Sequence, residues 1–170
     1  MKAVRHAIFV SGSIGAGKTV LGRAAAEALG GAFLDGDDFS EPRKPWFCSS
    51  LRTSRAILAE TMALHRAYQV VVIAYPLRCV NWIYYRRRLQ ECGAVVHFIS
   101  LRASFAASID PARGRKFSDA EKARIREMIA QGYGERPFSD LVLDTDRDSL
   151  EGTIATLKPQ LQRLISRSAC

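Results

Sequence analysis

The sequence predicts an α/β three-layer sandwich: a five-stranded, mostly parallel sheet with helices on both faces. Three features carry that class. Short runs rich in β-branched and aromatic residues alternate along the chain with longer segments of helical periodicity. The runs are apolar nearly throughout, which suits parallel strands covered on both sides. A glycine-rich turn joins the first run directly to the first helical segment.

In chain order, strands are expected at 7–11, 32–34, 70–74, 95–100 and 141–143. Helical patterns fill the intervals at 18–29, 49–68, 82–92, 104–109, 119–131 and 149–166. "ALGG" closes the first helix with glycines, where a left-handed residue is wanted. "SDAE", from Ser118 to Glu121, is a capping box at the start of the fifth. Within 82–92, Trp82, Tyr85 and Leu89 form one apolar stripe, and the arginines of "YYRRRLQ" spread around a solvated side. That pattern favours a solvated helix face over a nucleic-acid surface. Ligands of such sheets bind at the carboxyl ends of the strands, so the loops there hold the candidate site.

The 170 residues suffice for one domain, 1–170, with a continuous core. Hydrophobic residues make up 48% and charged residues 25%, which excludes wholesale disorder. With 25 Lys+Arg against 17 Asp+Glu the net charge is +8, favouring anionic partners. Cys48, Cys79, Cys92 and Cys170 form no CxxC pair, and His6, His65 and His97 are scattered, so neither a zinc or haem site nor a disulfide framework is expected. The cysteines are expected to be reduced and mostly packed in the core. "MKAVRHAIFV" is too short for a signal peptide, and no stretch reaches the length of a membrane span. A cytoplasmic protein, monomeric or homodimeric, without membrane or nucleic-acid partners, is the expectation.

"GSIGAGKT" matches G-x-x-x-x-G-K-[ST] at every fixed position: Gly12, Ser13, Ile14, Gly15, Ala16, Gly17, Lys18 and Thr19. Glycines let successive N–H groups turn inward as an anion nest, and the following helix adds its positive end. In this motif Lys18 neutralises the β and γ phosphates of ATP and the Thr19 hydroxyl ligates Mg²⁺. "FLDGDDFS" then places Asp35, Asp37 and Asp38 after the second strand. Asp35 and Asp37 flank Gly36, and a continuing extended segment would turn both toward the phosphates. One carboxylate suits the metal shell and the proton of an incoming hydroxyl, the other an acceptor.

A strand, GxxxxGK[ST], a helix and then "LDGD" resembles the P-loop small-molecule kinases of the gluconate kinase, shikimate kinase and adenylylsulfate kinase group. "AFLDGDDF" with "RKPW" is most similar to gluconate kinase, and "LDGD" followed by "IAYPLR" also resembles adenylylsulfate kinase. The resemblance implies a nucleoside-monophosphate-kinase-like P-loop NTPase fold with parallel strand order 2-3-1-4-5. It also implies an acceptor region at about 36–68 and a lid at about 110–118. Asp35 matches the aspartate near Mg²⁺ and the attacking hydroxyl, and Asp37 the one that contacts the acceptor. Arg52 or Arg55 on the next helix, Arg43 before it and Arg78 after the third strand are candidate acceptor contacts. Within "DPARGRKFSD", Arg113 and Arg115 would close over the transferring phosphate. Arg147, in "LVLDTDRDS", is a candidate contact to the base.

Three departures limit the transfer. The segment between "DGD" and "RKPW" is far shorter than in gluconate kinase, so gluconate is not carried over as substrate. "VVVIAYPLR" ends the third strand without an acidic residue, and "SFAASI" lacks the arginine usual on the helix before the lid. The expectation is a kinase moving the γ-phosphoryl of ATP to a hydroxyl of a small, anionic acceptor. The alternatives are a nucleotide-binding regulatory protein without transfer, and a nucleoside or antibiotic kinase.

Overall fold

The computed structural model describes residues 4–40 and 46–167, the side chains of 46–50 excepted. Strands β1 (Arg5–Gly12), β2 (Ala32–Asp35), β3 (Val70–Ala74), β4 (Ala94–Arg102) and β5 (Leu141–Asp144) form one sheet in the order β2-β3-β1-β4-β5. Every pair is parallel. This is the 2-3-1-4-5 order that the resemblance implied. Helices α1 (Lys18–Ala28), α2 (Trp46–Leu64), α3 (Cys79–Glu91), α4 (Phe105–Ser108), α5 (Asp119–Ala130) and α6 (Leu150–Arg167) connect and cover it.

The all-apolar strand runs have their reason in the two cores. Ile8 and Val10 of β1, with Val70 and Val72 of β3, pack on one face against Leu21 and Ala25 of α1 and Leu157 and Leu161 of α6. Ala7 and Phe9, with Val71 and Ile73, pack on the other against Ile57 of α2 and Tyr85 and Leu89 of α3. Alternate residues of one strand thus enter opposite cores, which is why the central stretches of β1 and β3 are apolar at successive positions. Phe9 lies at the centre of the second core, 4.6 Å from the Tyr85 ring and 5.6 Å from that of Phe98. Burying such a ring contributes about 1.5–3 kcal/mol.

The apolar stripe of α3 is as expected: Tyr85 and Leu89 are buried, Trp82 half-buried, and Arg86, Arg87 and Arg88 exposed. The helix starts earlier than its periodicity suggested. Arg78 caps it in an extended conformation and Cys79 opens the first turn. The expectation of packed cysteines is corrected by Cys79 and Cys92, which are both exposed free thiols. Ser118 and Glu121 form the reciprocal capping box that starts α5. No helix among the described residues is long and apolar enough to cross a membrane.

At the amino end of the sheet the three histidines lie buried. His6 Nδ1 is 3.2 Å from His97 Nε2, the rings stacked at 5.4 Å, and His65 Nδ1 is 3.2 Å from the Tyr68 carbonyl. Burial lowers the pKa of all three. As pH falls below about 6.5, the unfolded chain takes up protons before the folded one does, so stability drops. Urea midpoints are therefore expected to fall from pH 7.5 to 5.5, with a shallower slope in a His6→Gln/His97→Gln chain. An unchanged midpoint over that interval would contradict this.

Candidate active site

The loop after β1 is built for an anion. Gly17 sits in the left-handed region at φ 93° as the N-cap of α1, with no side chain capping the helix and no acidic residue in its first turn. The helix N–H groups and their positive dipole end therefore stay open to an external anion. Gly15 is also left-handed, at φ 79°, and a Cβ there would stand 2.4 Å from the Ser108 carbonyl oxygen. The Lys18 ammonium folds back over the loop and donates to the Ser13 carbonyl at 2.8 Å.

The acidic segment corrects one expectation. Asp35 ends β2 in an extended conformation, but Gly36–Phe39 is a 3₁₀ turn rather than a continuing strand. Asp35 caps that turn by accepting from the Asp37 N–H at 3.1 Å, and its other oxygen accepts the Thr19 hydroxyl at 2.9 Å. The turn requires Gly36, since a Cβ there would lie 2.5 Å from the Tyr75 ring. The two carboxylates thus serve different neighbours: Asp35 meets Thr19, and Asp37 lies in the field of Lys18.

Burial pushes the Lys18 ammonium down to about 8; Asp37 and then Asp35 oppose that shift, and Arg115 adds to it. Burial raises the Asp37 carboxyl, with Lys18 opposing and Asp35 and Asp38 adding to the rise. Lysine and aspartate are each held closer to neutrality than in water, and an arriving phosphate and metal would shift that balance.

The two arginines expected in a lid divide. Arg113 donates to the Gly15 carbonyl at 3.1 Å and to the Thr145 carbonyl at 2.7 Å, bridging the glycine loop to the loop after β5. Arg115 pairs with Glu121 at 2.7 Å, stacks on Phe117, and its charge reaches both Lys18 and Asp37. Of the two, Arg115 is the one whose charge acts on Lys18 and Asp37. Arg147 extends into solvent beside Asp144, at 3.7 Å.

Of the candidate acceptor arginines, Arg52 and Arg55 are exposed on α2, and Arg43 lies outside the described residues. Arg78 is half-buried and its Nε donates to the Tyr133 hydroxyl at 2.8 Å. Sequence reasoning missed Tyr75 and Tyr133. Tyr75 takes the place at the tip of β3 where an acidic residue was sought; burial raises its phenol, then Asp37 and Tyr133, with Arg78 opposing. Asp37, Tyr133 and Arg78 thus lie near enough to Tyr75 for their charges to act on its phenol. "IAYPLR" held that signal, since its tyrosine directly follows a strand whose tip enters the site.

Neither a protein-family model nor a curated protein sequence matches the chain. Solved structures do. The shikimate kinase of Acinetobacter baumannii, solved with shikimate, is 18% identical with a TM-score of 0.61, over 98% of this chain and 96% of its own. A gluconokinase from Sinorhizobium meliloti is 19% identical with a TM-score of 0.63, over 96% and 99%. The Mycobacterium tuberculosis APS kinase, solved with AMPPNP and APS, is 14% identical with a TM-score of 0.65, over 96% and 98%. At these identities the likeness shows the fold, and that fold is the P-loop kinase fold the motifs implied.

A bound polyphosphate would return Lys18 to its charged form. Binding of an ATP analogue at pH 8.5 is expected to take up as much as about one proton per site, and affinity to weaken as pH rises through 8. Calorimetry in buffers of different ionisation enthalpy checks both. Uptake that survives in Lys18→Met, or none in the parent, would contradict the assignment.

Proposed function

We propose that this chain is an ATP-dependent phosphotransferase that moves the γ-phosphoryl group to a hydroxyl of a small, anionic acceptor. The observation that carries this is the split of the two aspartates, Asp35 on the Thr19 hydroxyl and Asp37 toward Lys18. Phosphoryl transfer needs little covalent help from a protein and depends on positioning and charge.

The residues fit both groups. The uncapped α1 terminus, the left-handed glycines and a lysine whose recorded partner is only a carbonyl suit a triphosphate. A hydroxyl and a carboxylate in contact are hard oxygen donors of the kind Mg²⁺ takes. When bound, MgATP supplies the phosphoryl group and an electrophilic phosphorus with its charge partly neutralised. The chain does the rest. Thr19 and Asp35 would hold the metal, and Lys18 with the loop N–H groups would hold the phosphates. Asp37 orients the acceptor hydroxyl and takes its proton, a role suited to a carboxyl raised by burial. Asp35, which accepts the Thr19 hydroxyl and the Asp37 N–H, would serve the metal with Thr19 rather than the acceptor proton.

Arg115 exchanges Glu121 for the transferring phosphoryl oxygens. Its ion pair is exposed to solvent and screened, and so is readily surrendered. Residues 110–118 act as the lid that excludes water during transfer, with Gly114 in the left-handed region as its pivot. Arg113 serves the nucleotide side of that lid. Residues 36–68 contribute to the acceptor region of a single domain working in the cytoplasm. Support from the comparisons lies in the sheet shared with proteins named as shikimate, gluconate and APS kinases.

The test is ADP formation across a panel of hydroxy acids, sugars, nucleosides and aminoglycosides. A hydroxy acid is expected to give acceptor-dependent turnover. Asp37→Asn is expected to lower kcat by roughly 10²–10⁴-fold with little change in ATP-analogue affinity, and Asp35→Asn to raise the Mg²⁺ requirement. ATP binding without turnover on any acceptor would instead mark a regulatory module.

A further inference from the structure

Tyr75 stands where the sheet meets the acidic turn, and its backbone is tied to the central strand on both sides. Its own N–H donates to the Val10 carbonyl at 3.1 Å, carrying the β3–β1 pairing one residue past the end of β3. Two residues on, the Leu77 N–H donates to the Ser11 hydroxyl at 2.8 Å, and Leu77 itself is fully buried. The Tyr75 side chain packs on the core that holds Phe9 and Ile73.

Gly36, the first residue of the 3₁₀ turn, lies directly against that side chain. A Cβ at Gly36 would stand 2.5 Å from Tyr75 Cδ2 and 2.9 Å from both its Cβ and its Cγ. Two of those three atoms belong to the stem of the tyrosine, which cannot swing aside while its backbone is pinned. Gly36 is not among the glycines in the left-handed region, so the position needs a glycine for space rather than for conformation. The turn hangs from β2, an edge strand with β3 as its one neighbour in the sheet. Among the described residues its further ties are the Ser40 N–H on the Asp37 carbonyl at 3.0 Å and the Thr53 hydroxyl on the Phe39 carbonyl at 3.1 Å. Asp37 lies between those ties and the Gly36 contact, and its charge acts on the Tyr75 phenol.

We propose that Tyr75 is a positioning residue: its ring and stem form the seat on which Gly36 rests, and that seat keeps Asp37 beside Lys18. The ring does this by packing, and the hydroxyl is not needed for it. The inference rests on the kinase reading for what Asp37 does, whereas the seat belongs to the chain without ligand. Phosphoryl transfer depends on placement, so a turn free to shift by about 1 Å would cost roughly 10²-fold in rate.

Hydrogen exchange at the Asp37 and Ser40 amides tests the seat in the free chain, and kinetics with an acceptor found by the panel test its consequence. In Tyr75→Ala both amides are expected to exchange about tenfold faster by local opening, which added urea does not accelerate. Tyr75→Phe is expected to restore the parent rates, since it returns the ring without the hydroxyl. In Tyr75→Ala kcat is expected to fall roughly 10²-fold with KM for ATP little changed, and Tyr75→Phe to recover it. Should Tyr75→Ala not fold, Gly36→Ala approaches the same contact from the turn and is expected to speed exchange likewise. The double variant is expected to lose less than the two single losses together, because both act on one contact. Parent-like exchange or kcat in Tyr75→Ala, parent-like exchange in Gly36→Ala, strict additivity, or equal losses in Tyr75→Phe and Tyr75→Ala would overturn the seat. Turnover absent with every acceptor counts against the kinase reading alone, because exchange is read without substrate.

Discussion

The site depends on one constraint: the charge of a triphosphate must be met by backbone N–H groups, and these turn inward only where no side chain obstructs them. That requirement falls on the few residues between Gly12 and Lys18. It is met at the tip of the central strand, because β1 is held on both sides by β3 and β4 and cannot shift. The ties extend past the ladder. The Ser11 hydroxyl accepts the Leu77 N–H at 2.8 Å, and the Tyr75 N–H reaches the Val10 carbonyl at 3.1 Å. The loop after β3 is thereby locked beside the glycine loop, and Tyr75 and Arg78 enter the site as a consequence of sheet pairing.

Among the described residues, four cationic groups rest on internal acceptors. Lys18 rests on the Ser13 carbonyl, Arg113 on Gly15 and Thr145, Arg115 on Glu121 and Arg124 on Glu127. Such placement lowers repulsion among neighbouring cations while the site is empty of ligand charge. The ion pairs of Arg115 and Arg124 are exposed to solvent and screened, so they hold these side chains only weakly. The arginines are held near their working positions without being committed to them. A basic chain at +8 gains a further advantage, drawing polyanions toward the carboxyl edge of the sheet.

Much of this was legible in the sequence, for reasons that differ by element. The strands were visible because parallel strands covered on both faces are apolar at every position, as in "AIFV" and "VVVIA". The glycine loop was visible because its chemistry is local and its residues contiguous. The 3₁₀ turn at Gly36–Phe39 was not: an aspartate capping its own next turn but one looks, in the sequence, like a strand continuing. The division of labour between Arg113 and Arg115 depends on where a long side chain reaches, which spacing does not encode. The cavity lined by Arg78, Arg124, Tyr133 and Arg136 was least legible, since these residues come from three separate stretches that only the fold brings around one space.

The central claim is that the loop after β1 grips a magnesium-bound triphosphate with the two aspartates in separate roles. A structure of the chain with Mg²⁺ and a non-hydrolysable ATP analogue tests it most directly. The account predicts phosphates against the N–H groups of residues 13–19, with the metal beside Thr19 and Asp35 and the γ-phosphate facing Asp37. Phosphates bound elsewhere, or both carboxylates turned from them, would contradict it.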